Sequence, residues 1–462
     1  MPVQRYDAIV IGAGQGGGPL STALAGAGRR TALIERRHVG GTCVNEGCTP
    51  TKTMIASGRV AHLVQRAHEY GIHPKDVVVD MERIRQRKRD IVTMFRSGSR
   101  KRIESTSGVD LIYGDAHFTG ERTLEVARND GETVVCEADW IFVNTGTRPA
   151  RPSIEGLDQV PAFDSTSIME LDQVPQHLII LGGGYIGVEF GQLFRRLRSK
   201  VTIIHRGTQL LPREDDDIAD EVGKIFREDG IEVLLETTAK RIRRMGNDIE
   251  VELAGQGGES SVNGTHLLIA TGRRPNTDTL DCNATGMELD ERGYIRVNSR
   301  LETSVPGIWA LGDVNGGPAF THIAYDDYRI LKSNLLENGA RSTESRLVPY
   351  TVFMDPQLGR VGPTEKALRA LGQKYTVAKL PMTSVARALE TDETRGFMKA
   401  LVDPASKEIL GAAILGLEGG ELAGGIQLAM MGHLPYTAIR DAVFSHPTLT
   451  ESLNSLFGSV ET

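Results

Sequence analysis

Two cysteines close together in the chain carry the most specific chemistry in this 462-residue sequence. Cys43 and Cys48 lie in the segment GGTCVNEGCTPTK, residues 40–52, where Gly47 frees the backbone and Pro50 suits the first turn of a helix. A disulfide across so short a loop is easily reduced, so one thiol can attack an outside acceptor while the other exchanges electrons with a cofactor. Zinc binding is the competing use of such a pair, but no second Cys/His pair with ligand spacing follows.

A lysine follows the second cysteine on the same predicted helix face. Lys52 stands one helical turn after Cys48, where its charge can lower a thiolate pKa or meet an electron-rich ring. An ordinary surface lysine is the alternative. The other two cysteines, Cys136 and Cys282, have no partner nearby in the sequence and are expected to be packed or inert thiols.

An internal repeat predicts the elements that must position these groups. Residues 7–36 and 177–206 align without a gap, and each copy has the pattern of a buried strand, a helix and a second strand. Each copy also carries the Gly-x-Gly-x-x-Gly pattern that lets the backbone approach a pyrophosphate at a helix N-terminus. The six glycines are Gly12, Gly14 and Gly17 in the first copy and Gly182, Gly184 and Gly187 in the second.

The residue that ends the second strand differs between the two copies. In the first copy it is Glu35, an acid that can accept hydrogen bonds from the ribose of FAD or NAD. In the second it is His205, followed by Arg206, which suits a 2′-phosphate and therefore favours NADPH over NADH. The alternative for Arg206 is a solvated loop residue.

Composition and charge exclude several classes of protein. The 53 Lys and Arg residues against 60 Asp and Glu residues give a net charge of -7, so the protein has no overall positive charge that would attract nucleic acid. The basic stretch over 83–102 is interpreted as the solvated face of a helix. The uncharged segment 8–28 has seven glycines and Pro19, which favours a dinucleotide turn over a signal peptide or membrane span. These features predict a cytoplasmic protein of about three domains without a membrane segment.

The segment CVNEGCTPTK beside the first glycine pattern resembles the redox-active segment of the two-cysteine flavoprotein disulfide reductases. This family includes glutathione reductase, dihydrolipoamide dehydrogenase and mercuric reductase. The segments NTGTRP at Asn144, GIWALGDV at Gly307 and ATGRRPN at Ala270 are similar to further family motifs, with Asn144 standing where Ala is usual. The resemblance implies an α/β fold with two dinucleotide-binding, Rossmann-like three-layer domains and a C-terminal α+β dimerisation domain.

The resemblance also implies domain limits and cofactor-binding residues. The expected parts are an FAD-binding domain over 1–150, an NAD(P)H-binding domain over 151–273, a central part completing the FAD domain over 274–346, and a dimerisation domain over 347–462. The expected FAD contacts are Gly12, Gly14, Gly17, Glu35, Gly41, Thr42, Lys52, Ala116, Thr145, Gly146, Asp313 and Thr321. The expected NAD(P)H contacts are Gly182, Gly184, Tyr185, Ile186, Gly187, Glu189, His205, Arg206 and Gly272.

The family mechanism assigns a role to each remaining residue. By resemblance, hydride passes from NADPH to the flavin past the gate residue Tyr185, and Glu189 is the partner of Lys52. Cys48 is then the charge-transfer thiol and Cys43 the interchange thiol. His446 and Glu451 match the family's acid-base dyad, which reaches the other subunit of a homodimer. The local pattern offers a rival for Glu451, because Thr448-x-x-Glu451 is also a helix capping box.

The acceptor is less narrowly predicted. An acid is expected at position 205 of a dihydrolipoamide dehydrogenase, so His205 disfavours lipoamide as the substrate. The ending GSVET lacks the vicinal cysteine pair of well-known mercuric reductases, which disfavours efficient mercury detoxification. No set of glutathione-binding arginines is matched, which disfavours glutathione disulfide. The segments that begin at Leu211, Phe320 and His446 most resemble the mercuric-reductase-like group that includes a bacterial reactive-chlorine resistance flavoprotein, for which copper(II) reduction is the group's activity. The prediction is an enzyme that reduces a small disulfide or a thiophilic metal ion or oxidant and has no resident metal. A slow redox switch and an NAD-linked dihydrolipoamide dehydrogenase are the alternatives.

Overall fold

The computed structural model of the protein describes residues 3–255 and 258–460 and shows a mixed α/β fold. Its strands are β1 (Val3–Ile11), β2 (Thr31–Glu35), β3 (Val109–Gly120), β4 (Thr123–Arg128), β5 (Thr133–Val143), β6 (Thr147–Pro149), β7 (Ala162–Phe163), β8 (His177–Leu181), β9 (Lys200–Ile204), β10 (Glu232–Leu234), β11 (Thr238–Met245), β12 (Asp248–Gly255), β13 (Gly258–Gly264), β14 (His266–Ile269), β15 (Arg273–Pro275), β16 (Ile308–Ala310), β17 (Tyr350–Val352), β18 (Gln357–Val361), β19 (Thr376–Pro381), β20 (Phe397–Val402) and β21 (Ile409–Gly416).

The helices complete the element list. They are α1 (Gly17–Gly26), α2 (Gly41–Asn45), α3 (Cys48–Gln65), α4 (Met81–Glu104), α5 (Tyr185–Arg196), α6 (Asp216–Glu228), α7 (Thr321–Leu336), α8 (Glu365–Ala370), α9 (Ala386–Glu390), α10 (Gly419–Met431), α11 (Tyr436–Arg440) and α12 (Ser452–Gly458). None of the described helices combines the length and apolarity needed to cross a membrane.

The chain divides into two compact units. One unit holds the described residues up to Thr53 together with Arg83–Ala150 and Gly272–Arg346. The other holds Met54–Glu82, Arg151–Thr271 and the described residues from Leu347 onward. The domain limits and the cytoplasmic location given above stay predictions.

The first unit is built on a parallel sheet with the strand order β3-β2-β1-β5-β16. The residues of β1 from Ala8 to Ile11 are buried, as expected for an apolar run inside a parallel sheet. Strands β3 and β5 continue beyond this sheet and pair with β4 in an antiparallel meander. Cys136 and Cys282 lie in the core of this unit, where burial raises the pKa of each thiol to about 11, so both are inert as predicted.

The second unit contains another parallel sheet, with the order β10-β9-β8-β14-β7, and a separate antiparallel sheet β17-β18-β21-β20-β19. Strands β8 and β9 flank α5, which confirms the second strand-helix-strand copy. The antiparallel sheet packs its apolar face against the C-terminal helices in one hydrophobic core. The α/β fold class predicted from the repeat and the resemblance is therefore confirmed.

A buried charge cluster holds the N-terminus of α6 in the second unit. Arg360 is 2% exposed and lies 2.7 Å from Glu214, which is fully buried, and 3.4 Å from Asp215. Although burial opposes ionisation of Asp215, the backbone N–H groups of Lys366 and Glu365 and the charge of Arg360 hold its pKa below the usual value. Arg360 supplies the compensating charge beside Glu214, whereas Asp215 also has Lys399 at 3.6 Å.

Replacing Arg360 by methionine is expected to destabilise the protein by about 3–5 kcal/mol, because it leaves a buried carboxylate without its partner. The loss should be measured as a fall in the thermal unfolding midpoint. Because the pKa of Asp215 is lowered by folding, its contribution is present above its unfolded pKa and disappears as pH falls below about 4. The difference between wild type and variant should therefore shrink in acid. The matched control is Arg243→Met, in a largely exposed pair with Glu252, where less than about 1 kcal/mol is expected.

Candidate active site

The first glycine loop forms a cradle between β1 and α1. Gly12 has a φ of +100°, and a Cβ there would lie 2.4 Å from the carbonyl oxygen of Asn144. A Cβ on Gly17 would lie 2.1 Å from the carbonyl oxygen of Gly12, so side chains are excluded at both positions. The loop leads directly into α1, whose N-terminal N–H groups are suited to bind a pyrophosphate.

Two further observations fit an adenosine and flavin cofactor at this cradle. The carboxylate of Glu35, at the end of β2, accepts a 2.9 Å hydrogen bond from the N–H of Ala13 in the loop. The hydroxyl of Thr145, which follows β5, is buried and has no hydrogen-bond partner within residues 3–255 and 258–460. A buried hydroxyl left without a partner is costly, and a polar group of a bound cofactor would satisfy it.

The second predicted flavin motif lies in a short 3-10 turn, Gly312–Asn315, after β16. The carboxylate of Asp313 accepts a 3.0 Å hydrogen bond from the hydroxyl of Thr147. That hydroxyl in turn accepts a 2.8 Å hydrogen bond from Nε of Arg273. The chain of contacts fixes the direction of the Asp313 carboxylate.

The cysteine segment folds as two helices joined by a turn. Cys43 lies in α2 and is half-buried, whereas Cys48 is the first residue of α3 and is exposed. Asn45 ties the segment down by donating to the carbonyl groups of Val39 and Gly41 at 3.0 and 2.9 Å. A Cβ on Gly47 would lie 2.9 Å from the carbonyl oxygen of Thr42, which explains the glycine between the two cysteines.

Both cysteines are present as thiols, and the two sulfur atoms interact. A hydrogen bond from Cys43 to Cys48, together with burial, raises the pKa of Cys43 well above its ordinary value, and Thr321 and Lys52 oppose that rise. The hydroxyl of Thr321, at the first residue of α7, lies 3.3 Å from Sγ of Cys48. The thiol of Cys43 therefore has the raised pKa, and its hydrogen-bond partner is the sulfur of Cys48.

Replacing Thr321 by valine is expected to slow alkylation of the reduced dithiol by iodoacetamide at neutral pH about tenfold. The reason is that a hydroxyl donor to a thiolate lowers the thiol pKa by about one, which corresponds to about 1.4 kcal/mol. The pH dependence of the alkylation rate measures this effect directly. Thr119→Val removes an exposed hydroxyl on β3 and is the control, and an unchanged profile in Thr321→Val would contradict the assignment.

The second glycine loop repeats the geometry of the first. Gly182 has a φ of +119°, and a Cβ there would lie 2.3 Å from the carbonyl oxygen of Ala270. Nδ1 of His205 accepts a 3.2 Å hydrogen bond from the N–H of Gly183. This contact is the counterpart of the one between Ala13 and Glu35, because the aligned positions match in the two copies.

The imidazole of His205 is therefore neutral and carries its proton on Nε2. Burial, and the nearby charge of Arg206, lower the pKa of His205. Its Nε2 is buried and lacks a partner among the residues that the structure describes. The second loop thus has a hydrogen-bond donor at the position where the first copy has a carboxylate.

Helix α5, which follows the second loop, contacts the start of the antiparallel sheet in the same unit. The ring of Tyr185, at the first residue of α5, lies 5.6 Å from the ring of Tyr350. The carboxylate of Glu189 is buried and accepts a 2.9 Å hydrogen bond from the N–H of Phe353. The pairing of Glu189 with Lys52 stays a prediction.

The predicted dyad is formed within one chain. Nδ1 of His446 lies 2.9 Å from Oε2 and 3.1 Å from Oε1 of Glu451, and the imidazole is 70% exposed. The hydroxyl of Thr448 accepts a 3.2 Å hydrogen bond from the N–H of Glu451, so half of the capping box is also present. Because the Glu451 carboxylate contacts Nδ1 of His446, it orients the imidazole and does not occupy Nε2.

The remaining predicted cofactor residues have simple environments. Ala116 is a buried residue of the β3–β4 meander, so only its backbone is available to a ligand. Thr42 is exposed in α2, and Ile186 is half-buried in the first turn of α5. Open space surrounds the Cβ positions of three glycines, which are Gly146, Gly184 and Gly272. Their cofactor contacts stay predictions.

Sequence reasoning missed two contacts of the site. Asn144 was noted only as a departure from a family pattern, yet its side chain joins both flavin motifs. Thr321 was expected only as a flavin contact, although its hydroxyl contacts the thiols. Asn144 could have been singled out because it is a polar residue directly after the apolar end of β5. No spacing rule in the sequence relates Thr321 to Cys48.

The two glycine cradles, the interacting thiols and the dyad define a flavoprotein disulfide oxidoreductase. Residues 6–327 match the family described as pyridine nucleotide-disulphide oxidoreductase, and residues 348–457 match the dimerisation domain of that family. The chain therefore belongs to the pyridine nucleotide-disulphide oxidoreductases, which use FAD and a pyridine nucleotide. Among the described residues no group of three or more His, Cys, Asp or Glu is arranged to hold a metal ion.

Individual relatives agree with this assignment and with the predicted mercuric-reductase-like group. The protein is 40% identical to "Probable pyridine nucleotide-disulfide oxidoreductase RclA" of Escherichia coli, over 99% of this chain and 100% of that protein. It is 35% identical to a mercuric reductase of Streptomyces lividans, over 97% of this chain and 94% of that protein. The solved Cu(II) complex of the HOCl-induced flavoprotein disulfide reductase RclA superposes with a TM-score of 0.90 at 39% identity, covering 99% of this chain and 100% of that one.

Proposed function

We propose that this protein passes electrons from NADPH through FAD and the Cys43–Cys48 pair to a small thiophilic acceptor. The observation that carries the proposal is the pair of interacting sulfur atoms beside Thr321, one half-buried and one exposed. A buried structural disulfide would need neither an exposed sulfur nor a hydroxyl donor. Each chain also carries the exposed His446–Glu451 pair, which is the kind of proton-transfer group that such a dithiol requires.

The cofactor would be held by the first unit. Gly12, Gly14 and Gly17 would receive the pyrophosphate, Glu35 the adenosine ribose, and Asp313 the ribityl chain. When bound, FAD supplies the two-electron relay between a hydride donor and a disulfide. The chain's own contribution is to orient Asp313 through Thr147 and to place Cys48 at the start of a helix, where a thiolate is favoured.

The thiol chemistry balances in two steps. Two electrons and a proton convert the Cys43–Cys48 disulfide into a Cys43 thiol and a Cys48 thiolate. With a disulfide acceptor, deprotonated Cys43 attacks one sulfur and one thiolate leaves. Cys48 then attacks Cys43, which expels the second thiolate and restores the protein disulfide. With copper(II), the dithiol binds the ion through sulfur, and its two electrons reduce two ions to copper(I).

The proton would be moved by His446 of the partner subunit in a homodimer. The Glu451 carboxylate holds the imidazole through Nδ1, so Nε2 can take the proton of Cys43 and give it to a leaving thiolate. Such an arrangement makes one subunit alone an incomplete enzyme. The match to the dimerisation domain over residues 348–457 supports this part of the proposal.

The acceptor that we favour is copper(II) or a related thiophilic oxidant. Support comes from RclA, which has been solved as a Cu(II) complex and matches 99% of this chain at 39% identity. The chain is also related to a mercuric reductase, a name that points to a thiophilic metal ion as substrate. A small disulfide is the second acceptor class, because the same exposed sulfur serves both.

The test is anaerobic NADPH oxidation by the purified FAD-loaded protein with copper(II), mercury(II), glutathione disulfide or lipoamide. Rapid saturable turnover with copper(II) supports the proposal. Turnover with one disulfide alone would replace the metal with a low-molecular-weight disulfide as substrate, and efficient NAD-dependent oxidation of dihydrolipoamide would support the lipoamide alternative. A protein that is reduced once by NADPH but turns over with none of them would be a redox switch.

The preference for NADPH has its own test in the second glycine loop. The variant His205→Glu places a carboxylate where the first copy has Glu35, and we expect it to weaken binding of 2′,5′-ADP about tenfold to hundredfold while improving binding of ADP. Calorimetry of the two nucleotides measures the change without turnover. Met245→Glu also adds one negative charge at an exposed neutral position, on β11, and is the control. Equal affinity of wild-type protein for both nucleotides would contradict the preference.

A further inference from the structure

One peptide group of the second flavin motif is held from both of its polar ends. The carbonyl oxygen of Leu311 accepts a 2.8 Å hydrogen bond from Nδ2 of Asn144. The N–H of Gly312, in the same peptide group, donates a 2.8 Å hydrogen bond to Oδ2 of Asp327. The next residue is Asp313, so both contacts act immediately before the side chain that faces the ribityl chain in the proposed function.

The amide of Asn144 also reaches the first glycine loop. Its Oδ1 accepts a 2.8 Å hydrogen bond from the N–H of Gly17, at the start of α1. A Cβ on Gly14 would lie 3.1 Å from this oxygen, and a Cβ on Gly312 would lie 2.9 Å from Nδ2. One buried side chain, 8% exposed, therefore joins the two flavin motifs directly.

The second nucleotide-binding copy shows that the fold itself does not need this amide. The residue that corresponds to Asn144 is Ala270. Each donates a 2.8 Å hydrogen bond from its N–H to the carbonyl group of the last residue of the first strand of its copy, Ile11 or Leu181. The first glycine also faces its carbonyl oxygen in the same way, since a Cβ on that glycine would lie 2.4 Å from the oxygen in one copy and 2.3 Å in the other. An alanine thus satisfies the backbone geometry, and the asparagine serves something found only in the first copy.

The acid on the other side of the peptide is buried and supported. Asp327, on α7, is 2% exposed, and its second oxygen lies 2.6 Å from Nη2 of Arg346. Burial raises the pKa of Asp327, and the Gly312 N–H and Arg346 oppose that rise. Arg346 therefore holds the carboxylate in place to accept the hydrogen bond.

We propose that Asn144 and Asp327 clamp the Leu311–Gly312 peptide and thereby position Asp313, so that the FAD cradle is formed before the cofactor binds. Both are positioning residues, since they contact the backbone rather than the cofactor. The inference rests on the proposed FAD site and adds the residues that set its affinity. A cradle that is already formed binds more tightly, because less ordering remains to be done on binding.

The chemistry of the side chain at position 144 explains why it is asparagine. The Gly17 N–H needs an acceptor and the Leu311 carbonyl needs a donor, and a single amide supplies both. Alanine leaves both backbone groups without these partners. Aspartate still accepts from Gly17 but turns a second oxygen toward the Leu311 carbonyl, where two acceptors repel each other.

The test compares FAD binding and stability in Asn144→Ala and Asn144→Asp with wild type. We expect the dissociation constant of FAD, titrated into apo-protein by fluorescence quenching, to rise about 10–100-fold in both variants. The stabilisation that FAD gives, measured as the difference between holo and apo unfolding midpoints, should shrink accordingly. Asn334→Ala is the matched control, because it also removes two side-chain hydrogen bonds to backbone, both to Arg341, and FAD affinity should not change.

Two more variants separate positioning from general stability. Asp327→Ala releases the same peptide from its other side and should weaken FAD binding similarly, which keeps the test available if Asn144→Ala does not fold. In an Asp313→Ala background, Asn144→Ala should cost less affinity than it does in wild type, because the part of its effect that acts through Asp313 is already lost. Equal falls of apo and holo midpoints with unchanged FAD affinity would overturn the clamp but leave the proposed function intact. Failure of wild-type protein to bind FAD would overturn both.

Discussion

Replacing Cys43 by alanine is expected to lower NADPH-dependent reduction of the acceptor by at least about a thousandfold, because the attacking nucleophile is lost. Reduction of the bound flavin by NADPH should continue, since that step needs only the two nucleotide sites. Steady-state turnover and anaerobic stopped-flow spectra measure the two steps separately. The split between them is the strongest single consequence of the proposed electron path.

The second cysteine provides a contrasting variant. Cys48→Ala should also lose turnover, and it should abolish the long-wavelength absorbance expected when a Cys48 thiolate lies against the flavin, which Cys43→Ala should retain. Cys136→Ala is the control, because that thiol is fully buried in the core of the same unit and takes no part in the proposal. Wild-type turnover in Cys43→Ala would mean that electrons leave the flavin directly and that the thiol route is wrong.

Replacing His446 by glutamine is expected to lower turnover with a disulfide acceptor about 10²–10⁴-fold, the usual contribution of a positioned general acid-base group. The fall should appear in the oxidative half-reaction, with reduction by NADPH unchanged. With copper(II) the fall should be smaller, because no leaving thiolate needs a proton. His433→Gln is a matched control, since His433 forms a similar exposed pair with Glu408 at 3.2 Å in the same unit.

Mixed dimers test whether the dyad acts across the subunit interface. Neither Cys43→Ala nor His446→Gln protein alone should be active, but a heterodimer of the two contains one site with an intact thiol and an intact imidazole. Dissociating and reassembling a mixture should therefore restore part of the wild-type activity. A mixture that stays inactive, although heterodimers form, would place the thiol and the imidazole in the same subunit.

Local patterns in the sequence were sufficient for the nucleotide-binding elements. The uncharged run ending at Gly12 predicts a buried parallel strand, and the glycine spacing predicts the turn and helix that follow; the structure confirms both in each copy. The predicted and observed elements agree because each depends on residues within one strand-turn-helix unit. Burial of an apolar strand and the steric limits of a tight turn act over a few residues, so the amino-acid types record them directly.

The dyad shows where a local pattern remained ambiguous. The spacing of Thr448 and Glu451 is compatible with a capping box, and the family resemblance favours a pair between Glu451 and His446. The structure contains one contact from each, the Thr448 hydroxyl on the Glu451 N–H and the Glu451 carboxylate on the imidazole. The orientation of the Glu451 side chain decides which donors its carboxylate meets, and the sequence does not specify that orientation.

By itself, the sequence determined the class of this protein: the paired cysteines, the repeated glycine loops and the residue types at their ends are short-range features, and each is set by the chemistry of its own segment. Only the tertiary structure brought Thr321 to Cys48, although 273 positions separate them, and placed Asn144 between Gly17 and Leu311. The Asn144 contacts join the ends of β1, β5 and β16, which are neighbours in the sheet but distant in the chain, and the Thr321 contact joins the first residues of α7 and α3. Sheet topology, rather than any spacing in the sequence, decides which side chains meet there.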